Sequence, residues 1–453
     1  MATLSLRMEN LQIPQRIERL PLTSYQRYLA FIIITAWYFD DLDLGAMTFL
    51  LPVLGKEFSL NPVMMGTLAS MSFAGMLVGT ALSGFFSDKV GRKKVLQWSM
   101  VLWGVAGILC ALSWSIASLF VFRFLLGMGL GAELPVAHAM LPEFLPKSSR
   151  GRYVAIMEGL LPLGIISAGI ISYFVLPIVG WRCVFAVEAL PAAWLFMVRR
   201  NIPESPRWLE TTGQLEEADR VMSQIEAKVK EKYGQELPPV LDTVLVEKES
   251  DESPFVEIWS QDYWKRTLML WVVWTACLFG YYGLTSWLSA LLVGKGFAVI
   301  RSITFVITIT IGGIPGFLTA TYLIEKVGRR PVVIVSTALT AVSAYLYGNA
   351  ESLTTLYFWG FVMMFVTYAM WSSIYAYTPE LYPTRMRGSG CGLCSSVGRI
   401  GALAGPYAIG WLLTTAGASA VFSLAAGMFG LAALAVLILG PETQGRILEE
   451  ISQ

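Results

Sequence analysis

Asp88-Lys89-Val90-Gly91-Arg92-Lys93 returns 237 residues further along the chain as Glu325-Lys326-Val327-Gly328-Arg329-Arg330. A second motif obeys the same offset: Pro142-Glu143-x-x-Pro146-x-x-x-Arg150-Gly151 reappears as Pro379-Glu380-x-x-Pro383-x-x-x-Arg387-Gly388. Pro203-Glu204 and Pro441-Glu442 come close to it, at 238. All lie at the ends of long apolar runs. One offset shared by independent motifs marks an internal duplication, and parallel repeats of membrane helices place a binding site between the copies, near mid-membrane.

The apolar runs fit that frame. Stretches of about 20 residues, the length that crosses a bilayer as a helix, occur near 27–54, 62–87, 95–115, 117–142, 152–177 and 181–199. Six more follow near 265–293, 302–325, 331–349, 353–378, 388–413 and 417–440. They are numbered spans 1 to 12. The expected fold is an all-α membrane protein with 12 transmembrane helices in two six-helix bundles. Residues 1–200 and 265–453 form the bundles, and 201–264 is a polar linker with short amphipathic helices. In the linker, Leu215, Ala218, Met222, Ile225 and Val229 recur at helical spacing opposite a charged face, as in a helix resting on the bundle.

Composition agrees: 55% of the 453 residues are hydrophobic and 14% charged, where soluble domains carry about 25% charged residues. A net charge of +1 offers nothing that would attract nucleic acid. The five cysteines, Cys110, Cys183, Cys277, Cys391 and Cys394, are scattered through apolar stretches and do not make a disulfide framework. The polar N-terminal stretch holds no short apolar core with a cleavage site, so no signal peptide is expected. Of the 33 Lys and Arg residues, 27 lie in the termini, the linker with its flanks, and the turns after spans 2, 4, 8 and 10. The opposite turns hold only Lys56, Lys295 and Arg301, and Arg123, Arg182 and Arg399 sit in or at the ends of spans. The positive-inside rule then puts both termini in the cytoplasm.

The duplicated turns carry Asp88, Arg92, Glu143 and Arg150 in one copy and Glu325, Arg329, Glu380 and Arg387 in the other. They read as a charge network that locks one conformation and opens in another, or as simple topological anchors. Arg123-Phe-Leu-Leu-Gly127-Met-Gly129-Leu-Gly131 looks like a dinucleotide fingerprint but lies in a membrane helix rather than after a strand, so its glycines are expected to serve close helix packing. Cys391-x-x-Cys394 has no second ligand pair, and no metal or cofactor is expected.

Charges at bilayer depth are costly and mark functional positions. Span 1 carries Asp40, Asp41 and Asp43, span 4 Glu133 and His138, span 5 Glu158, span 6 Glu188 and span 11 Arg399. Asp40 and Asp43, three residues apart on one face, are proton-coupling candidates together with Glu133 and Glu158. The alternative is a fixed pair with an interior cation such as Arg399. His138, the only histidine, reads as a relay or as a simple hydrogen-bonding residue. Mid-span aromatics on spans 7 and 10, chiefly Tyr282, Trp287, Trp371 and Tyr375, suit a cavity in which rings stack on a flat ligand, and equally suit packing.

Together these residues resemble the major facilitator superfamily, in particular its sugar-porter-like branch. The likeness is carried by Gly84-x-x-x-Asp88-Lys-x-Gly91-Arg92-Lys93-Lys94, Arg123-Phe124, Pro203-Glu-Ser-Pro206-Arg207 and Pro441-Glu-Thr…Leu448-Glu-Glu-Ile. Within that branch the chain is similar, along essentially its whole length, to bacterial niacin (nicotinate) transporters, relatives of the synaptic vesicle glycoprotein 2 family. That likeness rests on Phe39-Asp40-x-x-Asp43-x-Gly45, Tyr281-Tyr282-Gly-x-x-x-Trp287, Tyr375-Ala-Tyr377-Thr-Pro-Glu380 and Gly398-Arg399-Ile-Gly401. Leu161 departs from an expected aromatic, and Thr321 and Glu325 from the usual Gly and Asp.

The resemblance implies a secondary transporter, not an enzyme, of the bacterial inner membrane, working as a monomer by alternating access. Its partners would be a small aromatic monocarboxylate such as nicotinate, a proton and the lipid bilayer. In this expectation Tyr282, Trp287, Trp371 and Tyr375 cradle the ring and Arg399 receives the carboxylate. The interior holds more acids than bases, so a cationic or neutral aromatic substrate is the competing expectation. A membrane sensor that binds without transporting is a third.

Overall fold

The computed structural model describes residues 12–240, 257–261 and 263–443. Part of the expected linker and the Leu448-to-Ile451 motif lie outside the described residues. Every described element is helical: α1 (Ile13–Glu18), α2 (Ser24–Glu57), α3 (Pro62–Val90), α4 (Arg92–Ala111), α5 (Ile116–Glu143), α6 (Lys147–Glu158), α7 (Leu161–Ala189) and α8 (Leu195–Asn201). They continue with α9 (Pro206–Thr211), α10 (Leu215–Tyr233), α11 (Trp264–Gly294), α12 (Val299–Thr310), α13 (Gly313–Val327), α14 (Arg329–Gly348), α15 (Leu353–Glu380), α16 (Thr384–Thr415) and α17 (Gly417–Leu439). Nine helical stretches of the described residues are long and apolar enough to cross a membrane.

The 237-residue offset is visible in the geometry. Gly91 and Gly328 end one helix and begin the next with φ of 106° and 108°, a conformation open to glycine. Helices α4 and α14 both run 20 residues from them. Ser115 and Ser352, also one offset apart, cap α5 and α15 by accepting from the backbone N–H of Ser118 (3.2 Å) and Thr355 (3.1 Å). Arg150 Nε donates to the Pro142 carbonyl (2.8 Å), as Arg387 Nε does to Pro379 (2.9 Å). Arg92 pairs with Glu143 as Arg329 pairs with Glu380, the latter at 3.0 Å. The two carboxylates thus meet the arginine after α3 or α13, not the nearer Arg150 and Arg387 that their sequence neighbourhood suggests. Glu204 Oε1 accepts the Lys93 N–H (3.0 Å) and Glu442 Oε1 the Arg329 N–H (3.2 Å). Asp88 contributes its backbone oxygen to Trp208 Nε1 (2.9 Å), and Glu325 sits on the exposed end of α13.

Two of the spans are interrupted at glycine. The fifth is α6 followed, after Gly159 and Leu160, by α7, and α7 runs on through a non-helical Gly180 (φ 81°) into the sixth. The eighth is α12 and α13, interrupted at Ile311-Gly312. Glycine explains both: it costs helix propensity, and close neighbours repay the loss. A Cβ on Gly159 would stand 3.1 Å from the Phe317 ring, and one on Gly312 2.8 Å from the Phe361 carbonyl oxygen.

Glycines also set the tightest helix contacts. A Cβ on Gly127 would lie 2.0 Å from the Ser72 carbonyl oxygen, and one on Gly131 2.2 Å from that of Met76, so α5 meets α3 backbone to backbone. Gly129 faces the other way, against Trp103 of α4. Gly401 of α16 has the same relation to Thr275 of α11, at 2.0 Å.

Helices α3 and α16 touch at one end only. Near the turns that join α2 to α3 and α16 to α17, the far face, Ser70 Oγ donates to the Leu403 carbonyl (2.7 Å). There a Cβ on Gly66 would meet the Pro406 oxygen at 2.5 Å, and one on Gly410 the Pro62 oxygen at 2.3 Å. Gly84 and Gly392 lie eighteen residues from Gly66 and Gly410, about five turns and 27 Å, hence on the same faces of α3 and α16. A Cβ on either meets nothing within 4 Å. The two helices therefore close at the far face and splay at the opposite one, the linker face.

The linker face carries α1, α9 and α10. Ala218, Val221, Met222, Ile225 and Val229 of α10 are buried, and Gly234, with φ 74°, ends the helix. Arg16 bridges Asp219 (2.6 Å) and Glu226 (2.7 Å), and Arg19 also reaches Glu226 (2.6 Å). Burial pushes the Glu226 carboxyl up, but bonds from the two arginines outweigh it and hold the group below the usual carboxylate range. Glu18 joins this assembly to Arg150 (2.8 Å).

The Gly127 contact predicts that Gly127→Leu, which overpacks a backbone contact, destabilises by about 1–3 kcal/mol or more. Gly84→Ala, placed in open space within a helix, should leave the melting temperature of the purified protein unchanged or raise it slightly, a gain in stability of about 0.4–1 kcal/mol at most.

Candidate substrate site

The interior charges fall into two groups. Asp43 of α2 pairs with Arg123 of α5 at 3.4 Å, both almost wholly buried, and Glu188 of α7 lies in their field. Arg123 also stands over the Phe185 ring, 5.6 Å from its centroid. Asp43 is thus in a fixed ion pair, but with Arg123 rather than Arg399. Asp40 has Asp43 in its field together with Glu133, Asp41 and Arg399, and neither of its oxygens finds a hydrogen-bond partner.

The second group is central. Glu133 accepts from Trp103 Nε1 (3.2 Å) and its other oxygen is unpartnered. His138 Nδ1 lies 2.9 Å from the Leu134 carbonyl, which can only accept, so Nδ1 carries a hydrogen. Its Nε2 is 2.6 Å from Glu158 Oε1. That contact needs one proton, held by the imidazole or by the carboxyl. The Trp37 and His138 rings meet edge to face with centroids 4.6 Å apart, and the His138 side chain, five residues before the linker-face end of α5, is 37% exposed. Arg399 lies among Tyr282, Tyr375, Glu158 and Asp40, with its Nε free of hydrogen bonds.

Aromatic rings continue the wall. Trp371 and Tyr375 of α15, one turn apart, have centroids 5.8 Å apart, and Trp274 of α11 lies 5.9 and 5.3 Å from them. Tyr281 touches Trp371 (5.6 Å), and its hydroxyl meets that of Tyr368 at 3.1 Å. Tyr282 crosses to Phe73 of α3 at 4.5 Å. Trp371 is buried with its Nε1 unpartnered. The arrangement brings ring faces, an unpartnered indole N–H, a guanidinium and carboxylates together between the two sets of helices, groups whose chemistry suits a small, flat, polar molecule.

The sequence profile described as "Sugar (and other) transporter" matches residues 40–453. The chain belongs to that family, within the major facilitator superfamily. It is a membrane transporter and not an enzyme. The niacin transporter of Acinetobacter baylyi is 34% identical over 97% of this chain and 100% of its own length. A synaptic vesicle 2-related protein of Xenopus laevis is 27% identical over 98% of this chain and 83% of its own. Among solved structures, the xylose transporter of Escherichia coli in a partially occluded inward-open conformation superimposes with a TM-score of 0.74, covering 94% of this chain and 100% of that one. At 18% identity this likeness speaks for the transporter fold alone.

Of the residues singled out in the sequence, Tyr282, Trp371, Tyr375, Arg399, Asp40, Glu133 and Glu158 come together. Trp287 does not. It is buried near the far face, where its Nε1 donates to the Pro406 carbonyl (3.0 Å) and its ring approaches Gly410, so it belongs to the closed end rather than to the ring cradle. Sequence reasoning gave no site role to Arg123, Phe73, Trp274, Tyr281 or Tyr368. Helical spacing carried part of the signal: Tyr368, Trp371 and Tyr375 follow at three and four residues, and Trp274 and Tyr281 at seven. Phe73 had none, because it is one of many apolar residues in its helix.

Asp43 and Arg123 form a buried pair, and deleting one partner of such a pair costs about 3–5 kcal/mol. Asp43→Ala should therefore lower the melting temperature more than Asp43→Ala combined with Arg123→Met. A double variant less stable than Asp43→Ala would mean that the pair does not exist.

Proposed function

We propose that this transporter imports nicotinate, or a closely similar aromatic monocarboxylate, together with a proton. The observation that carries the reading is the cradle of Tyr282, Trp371 and Tyr375 beside Arg399, whose guanidinium offers hydrogen bonds to a carboxylate. The name of the Acinetobacter relative supports the same substrate. The pyridine ring stacks among the aromatic faces, each contact worth about 0.5–1.5 kcal/mol, and the carboxylate meets Arg399.

The proton offsets the anion's charge. Asp43 is well placed to carry it, because protonating its carboxylate removes the charge that holds Arg123 and loosens α2 from α5. Asp40, Glu133 and the proton shared by His138 and Glu158 offer further stations on the way. The sites would lie between two six-helix bundles, residues 1–200 and 265–453. Counting the long Ser148–Asn201 stretch as two passages, and adding the charge-bearing α2 and α16, brings the nine apolar stretches to twelve. The lysine and arginine bias puts the linker face and both termini in the cytoplasm of a bacterium. The far-face closure then corresponds to an inward-facing state, and the Arg92–Glu143 and Arg329–Glu380 pairs, with Asp88, Glu325, Arg150 and Arg387 around them, act as gating groups that rearrange when the linker face closes.

One observation favours a second reading. Among the described residues of the interior, the buried carboxylates Asp40, Asp41, Asp43, Glu133, Glu158 and Glu188 outnumber Arg123, Arg399 and His138, an excess that suits a cationic or neutral aromatic substrate. Competition of labelled nicotinate by nicotinamide, benzoate and organic cations separates the two.

In proteoliposomes, nicotinate uptake should rise when the outside is made acidic. It should lose its response to the imposed pH gradient in Asp43→Asn. Trp371→Ala and Tyr282→Ala should each raise KM about tenfold, equivalent to ~1.4 kcal/mol. Unchanged KM in both variants would remove the cradle, and uptake indifferent to the gradient in the parent would remove the coupling.

A further inference from the structure

A cavity of about 180 Å³ lies on the linker face between α10, the start of α2, the start of α4 and the end of α8, away from the interior site. Its polar lining is Lys93, Arg200, Lys228, Gln224, Asn201 and the Tyr25 ring. A cavity of about 150 Å³ holds a six-carbon ring, so this one has room for a phosphate group and its first substituent.

The charges around it are unbalanced. No carboxylate lines the cavity. Several cations elsewhere on this face hold carboxylates: Arg16, Arg19, Arg92, Arg150 and Arg329. Among the described residues Lys93, Arg200 and Lys228 form no ion pair. Lys228 instead stands over the Tyr25 ring, 5.0 Å from its centroid. The acid electrostatically nearest Lys93 is Glu204, whose Oε1 is already taken by the backbone N–H groups of Lys93 and Ser205, at 3.0 Å each. A topological excess of lysine and arginine accounts for their number on one face but not for three of them lining one cavity.

The cavity is also held in shape. Helix α10 forms its outer wall, and α1 clamps α10 through the bonds of Arg16 and Arg19 to Asp219 and Glu226. Gln224 and Lys228, one turn apart, thereby face Lys93 and Arg200 across the opening. Two flexible cations at the rim, one half-buried cation beneath and amide groups beside them suit a dianionic or diester phosphate.

We propose that this cavity is a phosphate-binding site that fastens α10 to the helix bundle. Two sources share the chemistry: the headgroup of an anionic phospholipid in the adjoining leaflet, and a soluble phosphate ester or pyrophosphate.

Thermal unfolding of the purified protein in detergent tests the proposal at matched ionic strength. The probes are dihexanoyl phosphatidylglycerol, with zwitterionic, net-neutral dihexanoyl phosphatidylcholine as the control for net negative charge, and inorganic pyrophosphate, with chloride as the control. Arg200 and Lys228 are exposed, so Arg200→Ala/Lys228→Ala should fold, and Arg200→Lys/Lys228→Arg restores the charge. A saturable rise in melting temperature is expected with at least one probe. Its midpoint should move about tenfold to higher concentration in the alanine variant and return in the charge-restoring one. A response to phosphatidylglycerol alone assigns the site to lipid, and a response to pyrophosphate assigns it to a soluble anion. No response to either probe, or an equal response in the parent and the alanine variant, overturns the proposal.

Discussion

A charged side chain inside a lipid bilayer must face a partner or water, and the rest of this structure is arranged around that constraint. An unpaired Asp or Arg at mid-depth costs about 2.5–3.5 kcal/mol on insertion scales. The chain nevertheless buries Asp40, Asp41, Asp43, Arg123, Glu133, Glu158 and Glu188. It meets the cost by turning all of them inward, where Arg123 answers Asp43 and His138 answers Glu158. The helices that bear them, α2, α5, α6 and α7, must then surround a polar interior rather than a solid apolar core. Glycine makes this possible by letting α3, α4 and α5 meet closely behind the charges.

The same logic explains why the closed end is apolar and the opposite end charged. At the far face, Gly66, Ser70, Gly410 and Trp287 bring α3 and α16 together through backbone oxygens. Such a contact has no charge to desolvate and can separate cheaply. At the linker face the pairs run within each set of helices, Arg92 to Glu143 and Arg329 to Glu380. Neither pair ties one set to the other, which leaves the two sets free to move against each other. An axis between a neutral closure and a charged opening suits a carrier that exposes one site to two sides.

Much of this was legible in the chain. The 237-residue offset gave the duplicated turns, and the helix bounds of α4 and α14, and of α5 and α15, repeat it residue for residue. Glycines at Gly127, Gly129 and Gly131 were legible as packing positions because a nucleotide loop needs a strand that the sequence does not offer. Pairing was not legible. Asp43 stands three residues from Asp40 but meets Arg123, eighty residues away, since which of several helices faces a given turn is a tertiary fact. Trp287 was misplaced for the same reason: mid-span aromatics look alike until the partner of the indole N–H is known. Which glycines interrupt a span, Gly159 and Gly312 among many, was hidden because glycine is common in membrane helices and breaks few of them.

The central claim is that one interior site is exposed alternately through the far face and the linker face. Electron-electron double resonance tests it most directly, with spin labels at Gly84→Cys and Gly392→Cys, and in a second sample at Glu57→Cys and Thr414→Cys, both in a background lacking the five native cysteines. On adding nicotinate at acidic pH, the account predicts that a population appears in which the 84–392 distance shortens while the 57–414 distance lengthens. Distances that stay constant in both samples, or that change in the same direction, would contradict it.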